Sequence, residues 1–131
     1  MKILIFTILL ALGMTITASA HGPESLNLKA GKQKTAKHSK LKVKFVSVTE
    51  DSRCPVGVNC VWAGNAKVKV EITGSRGGTK VFEFNTTMGP KGDQVDGWAI
   101  TMVSLTPVPR ADATLDPKNY VAKFSIVRLQ R

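Results

Sequence analysis

Acidic residues are scarce in this chain. Nine Asp and Glu stand against nineteen Lys and Arg, a formal net charge of +10 at pH 7. That balance argues against an acidic, cation-collecting surface and favours polyanionic partners. Histidine is scarcer still, with only His21 and His38. A Ser-His-Asp or Cys-His mechanism has at most two possible bases, and a zinc site would be short of ligands. The two cysteines, Cys54 and Cys60, are too few for the several bridges of a disulfide-framework protein. After residue 20 no apolar run is long enough to cross a bilayer as a helix. No stretch there keeps helical periodicity, which sets helical folds aside, and no repeat or low-complexity segment stands out.

What is present begins with an export signal. Lys2 gives a positive start, residues 3–16 are almost wholly apolar, and Ala18-Ser19-Ala20 has the small-x-small form of a cleavage site. We therefore expect residues 1–20 to be a signal peptide and residues 21–131 to be a single domain, periplasmic or secreted, beginning at His21. Without Lys2, eighteen basic residues face nine acids, a net charge near +9. Export points to anionic envelope polymers rather than nucleic acid as partners.

The remainder reads as strands. Leu41, Val43 and Phe45 alternate with Lys40, Lys42 and Lys44; Val46 and Val48 then shift the apolar set by one, as a bulge would. Ala66, Val68, Val70 and Ile72 alternate with Lys67, Lys69 and Glu71. Gly74-Ser75-Arg76-Gly77-Gly78 supplies a turn, and residues 80–85 run back as a hairpin partner. Residues 88–93 are rich in breakers and read as a loop. Residues 98–106 form a β-prone run stopped by Pro107 and Pro109, and residues 120–129 alternate again. Leu26 and Leu28 suggest a short first strand. The expectation is an all-β fold, a small immunoglobulin-like β-sandwich of six or seven strands with one tight disulfide.

That disulfide would join Cys54 to Cys60, since an exported pair meets an oxidising compartment. Closing so short a loop contributes about 2 kcal/mol in the chain-entropy account. Trp62 is expected to pack beside it, and Gly64 to permit close backbone approach. The C-x5-C spacing differs from the C-x-x-C of thioredoxin-like redox centres. A rigid loop led by Arg53 also suggests a protease inhibitor.

Asp51-Ser52-Arg53-Cys54-Pro55, then Cys60-Val61-Trp62-Ala63-Gly64-Asn65-Ala66 and the alternating valines, resembles uncharacterised small exported bacterial proteins with a D-S-R-C-P-x4-C-x-W-x-G-x-A-x-V signature. The resemblance is sharp over some twenty residues. It implies a small β-sandwich of the bacterial envelope and carries no catalytic residue or activity.

Two candidate sites follow. Lys40, Lys42 and Lys44 should project from one strand face, and Lys67 and Lys69 would extend them into an anion-binding stripe if the strands are neighbours. Lysines there would also guard an edge against aggregation, and no aromatic side chain interleaves them to stack bases. The second candidate is metal. Cleavage after Ala20 would place the amine and imidazole of His21 on one ion, with His38 as a further nitrogen ligand, a set that suits Cu(II). Such a site would resemble small exported copper-binding β-sandwiches, or lytic polysaccharide monooxygenases, whose mature chain begins with His-Gly. The acids Glu50-Asp51 and Asp93/Asp96 read as loop carboxylates and lysine partners, and Asn85-Thr86-Thr87 matches a glycosylation triplet. The favoured role is a non-catalytic binding module that needs no cofactor, with a copper-binding protein and a protease inhibitor as alternatives.

Overall fold

The structure, a computed structural model, describes residues 21–131; the expected signal peptide lies outside the described residues. Eight strands form two antiparallel sheets. In chain order they are β1 (Glu24–Lys29), β2 (Gln33–Thr35), β3 (Lys42–Asp51), β4 (Ala66–Thr73), β5 (Thr79–Asn85), β6 (Gly92–Val95), β7 (Trp98–Thr106) and β8 (Val121–Arg128). One sheet runs β1-β8-β7-β6 and the other β2-β3-β4-β5.

Within each sheet every pairing joins strands adjacent in sequence, except that β8 returns to pair with β1. The immunoglobulin-like character therefore lies in two sheets packed face to face. Consecutive strands within each sheet pair directly, where immunoglobulin domains use Greek-key crossings. The chain changes sheet between β1 and β2 and again between β5 and β6.

The alternating patterns explain the layers. Val43, Phe45, Val68, Val70, Ile72 and Phe84 point inward from one sheet and are fully or almost fully buried. They meet Leu28, Ile100, Met102, Ala122, Phe124 and Ile126 from the other in one continuous core. Burying side chains of this size stabilises by about 1.5–3 kcal/mol each. Phe84 and Phe124 meet across the core with ring centroids 6.4 Å apart.

The valine shift in β3 is a bulge. Phe45 pairs with Val70 and Val48 with Val68, so the extra residue Val46 restores the inward face. A second irregularity lies between Val48 and Glu50.

Two of the eight strands escape the alternation analysis. Both β2 and β6 are short and polar, and each is an edge strand held by one neighbour. Backbone pairing creates them, so no apolar pattern announces them. The segment expected to be a loop over residues 88–93 accordingly ends inside a strand, at Gly92.

Candidate functional site

β3 ends at Asp51, opposite the start of β4 at Ala66, and β5 ends at Asn85 beside Lys67. β7 ends at Thr106 opposite Val121. Loops 52–65, 86–91 and 107–120 therefore meet at one end of the sandwich, cross-linked to one another.

The main cross-link is Arg53. Its guanidinium grips Asp51 through Nε to Oδ1 at 2.9 Å and through a second nitrogen to Oδ2 at 2.8 Å. The same group donates to the carbonyls of Leu105 at 2.6 Å and Pro107 at 2.9 Å, on either side of the cis Thr106–Pro107 peptide. The Arg53 and Asp51 side chains are only 11% and 10% exposed. The Arg53 guanidinium thus faces the opposite sheet and makes its hydrogen bonds within the protein, so it does not project from the disulfide loop as the inhibitor reading expected.

Tyr120 Oη adds a 2.7 Å hydrogen bond to Asp51 Oδ2. Burial alone would raise the Asp51 carboxyl, but the bonds from Arg53 and Tyr120 outweigh it and hold it below its ordinary value. The same neighbourhood pushes Tyr120 up to about 12, first through burial and then through the Asp51 carboxylate.

Cys54 and Cys60 form the expected disulfide, with Cα atoms 5.8 Å apart. The loop is stitched further by Cys54 N–H to Ala63 O at 2.9 Å and Val56 N–H to Pro109 O at 2.8 Å. Gly64 has φ +73°, and a Cβ there would collide with the Ser52 carbonyl, so the close approach read from the sequence is real. Trp62 differs from expectation. It is 57% exposed and stands outside the core, because the chain bends away after Cys60 and rejoins a sheet only at Ala66.

Buried Asn65 organises the neighbouring loop, a role that its residue type alone could not signal. Its Oδ1 accepts from Thr87 N–H at 3.0 Å and Met88 N–H at 3.2 Å, and its Nδ2 donates to Asn85 Oδ1 at 2.9 Å. Asn85 Nδ2 in turn reaches Pro90 O at 3.2 Å. The glycosylation triplet therefore has its asparagine amide buried and engaged.

The lysine stripe is less continuous than alternation implied. β3 and β4 are neighbours, but Lys67 Nζ lies 3.5 Å from Glu50 and 3.9 Å from Glu83, and Lys69 pairs with Glu83 across the ladder. Lys44 stands opposite Glu71. Lys40 precedes the strand, in a turn residue with φ +59°. The lysines without an acidic neighbour in the ladder sit toward β2 and the turn before β3.

Beside that turn, between β1 and β2, lies an open groove of about 640 Å³ whose walls include His21, Glu24, Lys34, Lys37 and His38. Glu24 carries its carboxylate to the backbone N–H groups of Lys37, His38 and Ser39, which fixes the turn. This brings His38 to His21, with ring centroids 4.7 Å apart. Among the described residues, no group of three or more His, Cys, Asp or Glu side chains is placed to hold a metal ion. Nor, among them, is any helix long and apolar enough to cross a membrane. The sequence neighbours Glu50 and Asp51 part company, one bridging to Lys67 and the other sealed against Arg53.

Comparison with protein families, with curated proteins and with solved structures finds no match to this chain.

Proposed function

We propose that this protein is an exported, non-catalytic binding module that engages an anionic envelope polymer along its β1–β2 edge. The observation that carries this reading is the run from Lys29 to Lys44, seven lysines and no acid, which spans β2 and the turn before β3. Lys34 and Lys37 line the groove beside Glu24, while Lys42 stands across the ladder from Thr35, a further groove residue. The binding edge is thus displaced from the Lys67/Lys69 strand, where acids already answer the charge.

Lysine ammonium groups are mobile point charges suited to repeated phosphates or carboxylates, and affinity of this kind falls as salt screens it. Binding to polyphosphate, teichoic acid and lipopolysaccharide, measured across a salt series, tests the reading. Reversing Lys37, Lys42 and Lys44 to Glu should weaken binding at least about tenfold and flatten its salt dependence. Reversal of Lys67 and Lys69 should do much less. Equal binding by the parent and the first triple variant would overturn the assignment.

A second reading, a copper-binding protein, is supported by the His21–His38 pair. Two imidazoles this close can share a Cu(II) ion, with the α-amine of His21 as a third nitrogen if the chain is cleaved after Ala20. Cu(II) titration followed by electron paramagnetic resonance should then show nitrogen coordination that His38→Ala reduces. Undiminished coordination in that variant would exclude the pair as the site.

A further inference from the structure

The loop end of the sandwich is a surface that the lysine edge does not explain. Three loops, cross-linked between Val56 and Pro109 and between Gly64 and Thr87, carry exposed apolar side chains there: Val56, Val58, Val61 and Trp62 on the disulfide loop, Met88 on the second and Val108 on the third. Val61 is wholly exposed, and Trp62 more than half so. Grouped apolar exposure of this kind marks an interaction site, where scattered single residues would not. The loops are also held in place before any partner arrives, by Cys54–Cys60, by Arg53 and by Asn65. Rigidity of that sort lowers the ordering cost of association.

We propose that this end docks onto an anionic lipid bilayer, seating Val61 and Trp62 at the boundary between headgroups and acyl chains. Tryptophan is suited to that depth, because its ring is apolar and its N–H still finds polar partners. The charges at this end fit the same surface. Asp51 is sealed against Arg53, and Asp112 is bidentate with Arg110 at 2.9 and 3.1 Å. Asp116 caps the 3-10 turn at residues 117–119. Lys91 and Lys118, exposed on the flanking loops, form no ion pair among the described residues and are placed to meet lipid phosphates. The net charge near +9 of residues 21–131 would draw the protein to an anionic surface from a distance.

The docking surface shares no residue with the lysine edge, so either reading can fail alone. The test uses the untagged protein as residues 21–131, the whole of the described sandwich, carrying Trp98→Phe, which leaves Trp62 as the sole indole. Vesicles of equimolar phosphatidylglycerol and phosphatidylcholine should shift Trp62 emission to the blue and carry the protein down on sedimentation. Val61→Asp should weaken vesicle binding at least about tenfold while leaving the melting curve unchanged, since Val61 contacts no core. The Lys37/Lys42/Lys44→Glu variant should keep the emission shift at saturating lipid. Unshifted emission in the presence of vesicles, or equal binding by Val61→Asp, would overturn the proposal. Self-association of the parent without lipid, abolished by Val61→Asp and accompanied by no vesicle binding, would overturn it too and assign the surface to contact between copies.

Discussion

Tyr120 donates a 2.7 Å hydrogen bond to Asp51 across sixty-nine residues of chain, joining the end of β3 to the start of β8. It ties the two sheets at the point where the disulfide loop leaves the sandwich. Asp51 passes the connection to Arg53, and Arg53 to the carbonyls of Leu105 and Pro107. This chain of bonds gives Asp51 and Arg53 a shared role just before the first cysteine: together they aim the loop.

The two ends of that chain should not weigh equally. Tyr120→Phe removes one hydrogen bond and should cost about 1–2 kcal/mol in chemical denaturation. Arg53→Met leaves a carboxylate without its cation, and should cost about 3–5 kcal/mol. If both variants lose the same small amount, the three side chains do not act as one buried unit.

The pH profile should carry two signatures. Asp51 has its folded pKa lowered, so its contribution is present above the unfolded carboxyl value and is lost as pH falls through the folded one. Tyr120 behaves in the opposite sense. Raised to about 12, it contributes fully below its ordinary value of 10.0, and the contribution disappears as pH rises between the two. Thermal melts of parent and Tyr120→Phe should therefore converge on the alkaline side of pH 10. A constant difference in melting temperature through that window would contradict the assignment.

The loop should depend on both of its fastenings. Reduction of Cys54–Cys60 should lower stability by about 2 kcal/mol, with the increase in hydrogen exchange confined to residues 52–64. Gly64→Ala should cost on the order of 2 kcal/mol or more, because it meets an unfavourable φ and the Ser52 carbonyl at once. A neutral Gly64→Ala variant would show that the backbone there can shift freely.

Most of the fold was legible in the residues. Period-two alternation in residues 41–45, 66–72 and 120–126 picks out one buried face per strand, and solvent enforces that choice whatever the final topology. The glycine turn at residues 74–78, the prolines after Thr106 and the cysteine pair are equally local, and each lies where its chemistry places it.

What alternation could not convey is which elements face one another. The lysines at positions 67 and 69 look like an extension of the basic stripe until the ladder sets them against Glu50 and Glu83. Arg53 looks exposed in a polar loop until the other sheet supplies two carbonyls and Tyr120 completes its carboxylate. His21 and His38 meet only because β1 and β2 border the same groove and Glu24 holds the intervening turn. Val61, Trp62, Met88 and Val108 lie at one end of the molecule because three loops share that end of the sandwich. Local sequence determined six of the eight strands, the staple and the excess of positive charge, because these follow from side-chain periodicity and composition. Only the tertiary structure decided which charges are answered and which apolar groups remain in water, because both depend on partners distant in the chain.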